Sequence, residues 1–356
     1  MVPAPIARLN LRHTGGVAPP DSPRSGSAPD LDVRRADESD LPAILELAQA
    51  SLGWNPGGPN GAFFRWKHLD NPAGASPMWV ASIRGQVVGL RTFLRWNFRR
   101  TDGSIARAVR AVDTATHPDH QGRGIFSRLT SGALDELGDD GVDFVFNTPN
   151  AQSRPGYVRM GWNVVGRVPI SVRPRDVTAL ARIARSRTAA EKWSQPTSVG
   201  DAAVDVLADE GLDRLLESVR PPTPADSARG ISTDRTADHL RWRYRFEPLA
   251  YRALVADGGP TDGLIVFRVR GRGIATELVI TEVLVPPGDP STARRLIAEV
   301  AHATRADYLI AAGASLPGLV PLPRQGPVLT WRGIAGREEM PPLADWHLTM
   351  GDVELF

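Results

Sequence analysis

Residues 117–126 read HPDHQGRGIF. A proline and two glycines, Gly122 and Gly124, make the run a turn, and its flanks decide which fold the turn serves. Before it, IARAVRAVDTATHP (105–118) reads as a strand ended by Pro118. After it, Ile125, Phe126, Leu129, Ala133, Leu134 and Leu137 fall on one apolar helical face that stops at Gly138 and Gly141, and VDFVFNTP (142–149) follows as a buried strand. Strand, short loop, helix and strand make a crossover unit, which joins parallel strands with the helix on one face. The glycine turn thus stands at a helix N-terminus.

Such an N-terminus carries unpaired N–H groups and the positive end of the helix dipole, so it favours an anion wherever side chains leave room. Gly122 and Gly124 leave that room, and Arg123 and Arg128 add charge nearby; a turn that served backbone geometry alone would use the same glycines. Two other phosphate motifs do not fit. A Walker loop needs Lys and Ser or Thr after its second glycine, where Ile125 and Phe126 stand, and a dinucleotide fingerprint needs a third glycine where Ser127 stands.

The chain has 356 residues, 42% hydrophobic and 23% charged, enough for two domains with a core each. Its 42 Lys and Arg face 40 Asp and Glu without a sustained basic block, so no nucleic-acid partner is implied. The absence of cysteine excludes disulfides, thiolate metal sites and a cysteine nucleophile. Residues 1–31, rich in Pro, Ser, Gly and Ala, read as a disordered tail without a secretory signal, and no apolar run is long enough to span a membrane, which points to the cytoplasm.

Further along, DVRRADESDLPAILELAQASL predicts a strand near Val33 to Arg35 and then a helix capped by Asp37 or Ser39. MWVASIRGQVVGLRTFLRWNF (78–98) predicts two strands joined at Arg84-Gly85. Beyond Gly166 the chain reads as a connector with some helix, in VTALARIARS. It then repeats itself: RWKHLDNP (65–72) returns as RWRYRFEP (241–248), placing Trp66 and Trp242 176 positions apart. MWVAS, GLRTFL and VRAVDTATHP are followed in the same order by LVAD, GLIVFR and ELVITEVLVPP, and ARRLIAEVAHATRADYLIAAG (293–313) mirrors the helix and strand after the turn. Where the first copy has HPDHQGRGIF the second has VPPGDPSTARRL, without the glycine pair.

The turn resembles the acyl-CoA loop of the GCN5-related N-acetyltransferases, Gln/Arg-x-x-Gly-x-Gly/Ala, in Gln121, Gly122, Arg123, Gly124, Ile125 and Phe126. VDTATHP looks like that family's fourth strand, and GVDFVFNTPNAQSRPGYVRMGW like its fifth strand and following helix, closing on Tyr157, Gly161 and Trp162. The resemblance covers residues 32 to about 168 and implies a mixed α/β fold. It also implies that Thr114, Ala115 and Thr116 bind the pantetheine arm of acetyl-CoA through their backbone, that Gly122 to Ser127 offer N–H groups to its pyrophosphate, and that Asn147 lies where the fourth and fifth strands splay. Phe126 departs from the pattern, since the family prefers Gly or Ala there. Tyr157 matches the tyrosine that protonates the CoA sulfur, and Asp113 is the nearest candidate base, with a salt bridge to Arg107 or Arg110 as its other reading. His117 and His120 read as capping or surface groups, and no His or acid spacing suggests a metal.

The tandem arrangement also resembles the enhanced-intracellular-survival type acetyltransferases, which implies a C-terminal carboxylate, here on Phe356, as another candidate base. The tail DWHLTMGDVELF reads otherwise as an edge strand of the second unit. Trp54, Trp66 and Trp96 could wall an acceptor pocket or simply pack, and the recurrence of Trp66 favours packing. The expected architecture is therefore two units, each a mixed twisted sheet flanked by helices: residues 32–168 binding acetyl-CoA, 169–235 as connector, and 236–356 as a degenerate second copy. The expected function is transfer of acetyl from acetyl-CoA, without a metal, to a primary amine on a small-molecule or sugar acceptor. A non-catalytic acetyl-CoA sensor, and transfer of a longer acyl or an aminoacyl group, are the alternatives.

Overall fold

The computed structural model describes residues 31–354 except 187, 220–229, 314–315, 335 and 337–338. Of the tail expected over residues 1–31, only Leu31 falls within the described residues, and it opens the first strand.

The chain begins with β1 (Leu31–Arg35), α1 (Leu41–Leu52), α2 (Asn60–His68), β2 (Met78–Ile83), β3 (Gln86–Arg100) and β4 (Ile105–Thr116). Asp37 caps a short 3-10 turn before α1, accepting from the Ser39 N–H. Arg84 and Gly85, both with positive φ, form the two-residue turn between β2 and β3, whose twist suits an antiparallel hairpin. Then come α3 (Ile125–Asp139), β5 (Phe144–Asn147), α4 (Arg154–Arg159) and β6 (Asn163–Arg167). The α3 face predicted from spacing packs Ile125, Leu129, Ala133, Leu134 and Leu137 under the sheet.

The next segment, expected as a connector, supplies strands to both sheets. It holds β7 (Ile170–Pro174), α5 (Val177–Arg185), β8 (Asp201–Ala202), α6 (Ala203–Val206), α7 (Gly211–Val219) and β9 (Ile231–Thr233). After it run α8 (Ala237–Tyr244), β10 (Arg252–Val255), β11 (Leu264–Arg272), β12 (Ala275–Leu284), α9 (Pro290–Thr304), β13 (Tyr308–Ala312), β14 (Val320–Pro321), β15 (Val328–Gly333), β16 (Trp346–His347) and α10 (Met350–Val353).

The first sheet has the order β1-β2-β3-β4-β5-β15-β6 and the second the order β8-β10-β11-β12-β13-β7-β14. Read along these orders, every neighbouring pair is antiparallel except β4 with β5 and β12 with β13, which are parallel and bridged by α3 and α9. The two sheets thus agree strand for strand in direction. They also trade one strand: β7 leaves the first half of the chain to pair with β13, and β15 leaves the second half to pair with β5. The tail strand β16 follows β15 to the first sheet, where it pairs with β9 and β9 with β3; the expectation of an edge strand on the second unit is corrected by this crossing.

One core lies under α3, a second under α9, and the largest lies between the sheets. At its centre the Trp66 indole N–H donates to the Trp242 carbonyl and the Trp242 indole N–H donates to the Trp66 carbonyl, both at 2.7 Å. The two rings stack with centroids 5.9 Å apart. Replacing either tryptophan with phenylalanine removes one of these bonds and leaves a buried carbonyl short of a donor, so Trp66→Phe and Trp242→Phe should each lower stability by about 1–2 kcal/mol. Trp242→Ala should cost about 3–5 kcal/mol through the cavity it leaves. Urea unfolding of the full chain measures all three, and phenylalanine variants as stable as wild type would show that the crossed bonds contribute nothing.

Candidate active site

Pairing of β4 with β5 runs from Ala108↔Phe144 to Arg110↔Phe146 and stops, while β4 continues to Thr116. On its other side β4 bulges: Leu90 faces Ala115 and Thr92 faces Val112, so Asp113 and Thr114 together oppose Arg91. Asp113 takes φ +40, an uncommon left-handed conformation for a residue with a side chain. The strands therefore splay, and a cleft of about 690 Å³ opens between them.

Asp113, Tyr157 and every cofactor-binding residue expected from the sequence line this cleft, except Arg123. Asp113, Thr114, Ala115 and Thr116 form one wall; Gln121, Gly122, Gly124, Ile125, Phe126 and Ser127 form the turn; Asn147 and Tyr157 close the far side. The Arg123 guanidinium is turned to the Asp119 carbonyl, 3.3 Å away. Gly122 and Gly124 have φ near +74 and +73, with open space where a Cβ would stand. Gly124 is the N-cap of α3 and no side chain caps that helix, so its first N–H groups face the cleft. An uncapped helix N-terminus with room around it favours an anion, and the residues present are compatible with the pyrophosphate of an acyl-CoA. The equivalent helix α9 is closed, because the Asp289 carboxylate accepts from the Thr292 N–H and occupies the same position.

Asp113 does not stand ready as a base. Its carboxylate lies 2.7 Å from Lys67 Nζ and 2.7 Å from His68 Nε2, and neither Arg107 nor Arg110 pairs with it. Burial alone would raise its pKa, but the Lys67 ammonium and the His68 bond outweigh burial and hold the carboxyl well below the usual range. Burial lowers both Lys67 and His68 despite that carboxylate. A neutral His68 ring then donates from Nε2 to Asp113 and accepts at Nδ1 from Ser76, 2.9 Å away. The second sheet repeats the arrangement. Glu282, like Asp113, lies three residues past the last paired residue of its strand, and it accepts from the Tyr244 hydroxyl at 2.9 Å, the position on α8 that matches His68 on α2. An acid thus bonds the matching helix position in the second sheet too, beside a helix that carries its own cap.

Tyr157 is buried on α4, and its hydroxyl accepts from Arg91 Nη1 at 2.7 Å. Asn147 Oδ1 accepts from the Thr330 hydroxyl of the exchanged strand β15. Arg110, at the fork of the strands, donates to Thr148 Oγ1 and to the carbonyls of Asp352 and Val353, and burial pushes it down to about 9. Phe356 lies outside the described residues. Trp54, Trp66 and Trp96 pack in the core between the sheets. Trp54 does face a cation, the chain's own Lys192, whose ammonium also lies over Phe63 and Trp193 and is pushed down by burial to about 8. His117 accepts from the Asp119 N–H as a turn cap. Among the described residues no three His, Asp or Glu side chains are grouped to hold a metal ion, and no helix is long and apolar enough to cross a membrane.

Sequence reasoning missed Arg91, Lys67, His68 and Thr330. Lys67 and His68 sat within the RWKH block, read only for its tryptophan; Arg91 and Thr330 reach the site through pairings that no local pattern announces.

Known proteins share the fold that carries this cleft. Residues 32–165 match the acetyltransferase (GNAT) domain. The match ends within β6, just before the chain crosses to the second sheet. Three solved structures share the fold across most of the chain. A probable N-acyltransferase from Enterococcus faecalis V583 is 13% identical with a TM-score of 0.60, covering 86% of this chain and 73% of that one. A GCN5-related N-acetyltransferase from Kribbella flavida is 19% identical with a TM-score of 0.57, over 85% and 71%. Eis1 from Mycobacterium abscessus is 15% identical with a TM-score of 0.52, over 85% and 74%. No curated protein matches the chain. The two mixed sheets flanked by helices are thus a GNAT-type mixed α/β architecture.

If Asp113 is a tie, its loss is felt in stability. Asp113→Asn should cost about 3 kcal/mol, because Lys67 keeps a buried charge without the carboxylate, and Lys67→Met in the same chain should restore most of it. Because the Asp113 pKa is depressed on folding, its contribution is present at neutral pH and is lost as the pH falls below the usual carboxylate range. Urea titrations at neutral and acid pH check both; an Asp113→Asn variant as stable as wild type would contradict the assignment.

Proposed function

We propose that the protein is an acyl-CoA-dependent N-acyltransferase that moves acetyl from acetyl-CoA to a primary amine, and that its second unit is a degenerate copy of the first. The observation that carries this reading is the open fork of β4 and β5 set against an α3 N-terminus that no side chain caps. Acetyl-CoA supplies an activated thioester. Thr114 to Thr116 offer a strand edge to its amides, and the N–H groups from Gly122 to Ser127 receive its pyrophosphate. Tyr157 gives its phenol proton to the departing sulfur. Asp113 keeps the bulge in place through Lys67 and His68, and the acceptor amine arrives neutral, losing its surplus proton to water. The copy relation draws support from the matching strand directions, the crossed tryptophan bonds and the shared fork, since β12 pairs with β13 only as far as Val279↔Ile310 and then runs on to Leu284.

Calorimetry with acetyl-CoA tests the binding half. Gly124→Glu, which sets a carboxylate at the anion position, should weaken affinity at least about tenfold, the equivalent of about 1.4 kcal/mol. Gly124→Asn, which tolerates left-handed backbone, should stay within about threefold of wild type. Equal affinity in all three would mean that the turn holds no phosphate. Thiol release over a panel of primary amines tests the chemistry, with Tyr157→Phe expected to lower kcat by about a hundredfold. Tight binding without release to any amine would instead describe a sensor.

A further inference from the structure

Arg91 is 0% exposed, yet no carboxylate pairs with it among the described residues. Its Nη1 donates to the Tyr157 hydroxyl and to Thr114 Oγ1, while Nε and Nη2 are buried without a hydrogen-bond partner. Three rings surround the guanidinium: Phe93 at 4.6 Å, Tyr157 at 5.3 Å and Phe126 at 5.8 Å. A buried charge of this kind costs several kcal/mol unless something compensates it. Aromatic faces offset part of that cost, and no fixed anion offsets the rest.

Phe126 is the residue at which the turn departs from the acyl-CoA loop it resembles. Its ring meets the Tyr157 ring edge-on at 5.4 Å and covers the guanidinium, so the departure has a local purpose. Gly156 on α4 makes room, since a Cβ there would stand 3.1 Å from the Phe126 ring. In the second copy, where α9 is capped, the position matching Arg91 in the GLRTFL and GLIVFR blocks is Ile265, buried in the core under α9. The cation is present only beside the open cleft.

We propose that Arg91 is the positioning residue of Tyr157 in the acyl transfer proposed above, an inference that rests on that reading. A guanidinium has no acceptor, so the phenol oxygen must accept from it, and the phenol hydrogen is left to point away from Arg91 and into the cleft. When the carbon–sulfur bond breaks, its electron pair stays on sulfur and the Tyr157 proton moves to that sulfur. A free thiol and a phenolate result. The phenolate is the anion that the unpaired guanidinium lacks, and water from the cleft returns the proton before the next turnover.

Arg91→Gln keeps the length and polarity of the side chain and removes its charge. In the full chain, thiol release should show kcat lowered at least about tenfold with the KM for acetyl-CoA within about threefold of wild type. On a Tyr157→Phe background the same change should cost no more than about twofold, because the two residues act as one unit. Arg91→Lys, which restores a cation, should recover part of the lost kcat. A readout apart from turnover is the ring-carbon NMR signal of Tyr157, assigned with Tyr157→Phe among only four tyrosines; Arg91→Gln should move it in the protein without acetyl-CoA.

Additive losses, an effect on KM alone, or an unmoved Tyr157 signal would overturn the proposal. If Arg91→Gln does not fold, Arg91→Lys decides, and wild-type kcat or an additive loss with Tyr157→Phe overturns it. Wild-type protein that binds acetyl-CoA yet releases no thiol sinks the transferase reading and this one together. An active wild type with an indifferent Arg91 sinks this one alone.

Discussion

Neither sheet can be completed by its own half of the chain. β5 is flanked on its outer side by β15, which arrives from the far end of the sequence, and β13 is flanked by β7, which has just left the first sheet. Withdrawing either strand would leave a buried parallel strand with an open edge, a costly state for backbone N–H and carbonyl groups. The exchange therefore couples the two halves in a way that surface contact alone would not. The crossed Trp66 and Trp242 bonds sit in the core between the sheets and relate the halves as near-equivalents. Contacts of such long sequence separation are expected to form late and to make folding slow.

The cleft inherits its shape from that exchange. β5 leaves β4 after three paired residues, yet it stays ordered because β15 holds its other edge through the Thr330↔Asn147 pair. The same pair fixes the Asn147 side chain. At the fork, Arg110 fills the gap between the separating strands and ties Thr148 to the carbonyls of Asp352 and Val353. The cleft is thus lined by residues near 113, 147 and 157 and held from behind by residues near 90, 330 and 352. A substitution in β15 or α10 acts on the site by moving β5.

This assembly explains what the sequence made legible. Elements announced by local pattern were readable: the Arg84-Gly85 turn, the apolar stripe of α3, the strand ended by Pro118 and the glycines that leave the helix N-terminus open. So were the matching RWKH and RWRY blocks, whose Trp66 and Trp242 meet in the core between the sheets. What failed to show was set by pairing across the chain. Asp113, expected as a candidate base beside the strand read as meeting the cofactor, is carried by a bulge and a positive φ to Lys67 and His68, forty-odd residues earlier. The segment after Gly166 lacked long periodic runs because β7 is only five residues long, and its place beside β13 depends on a partner more than a hundred residues away. Phe126 looked like a blemish in a motif because its partner, Arg91, lies on a strand whose pattern is otherwise that of a buried sheet.

Comparison of the two sheets separates shared scaffold from local difference. Both keep the fork, the parallel pair, the bridging helix and an acid tied to the helix that carries the tryptophan, as Asp113 with His68 and Glu282 with Tyr244. Features shared by a sheet whose bridging helix has an open end and a sheet whose bridging helix has a closed one serve the fold in either case. The differences are few and lie in one place. Where Gly124 leaves the α3 N-terminus bare, Asp289 supplies α9 with its own carboxylate, which both satisfies the N–H groups and repels a phosphate. Where Arg91 bonds Tyr157 with no carboxylate partner among the described residues, Ile265 fills an ordinary apolar core. A buried cation without a carboxylate partner destabilises the folded chain, and the matching position in the second sheet, where the helix end is closed, is Ile265. On the transferase reading proposed above, the anion that offsets that cation is one that forms only during turnover.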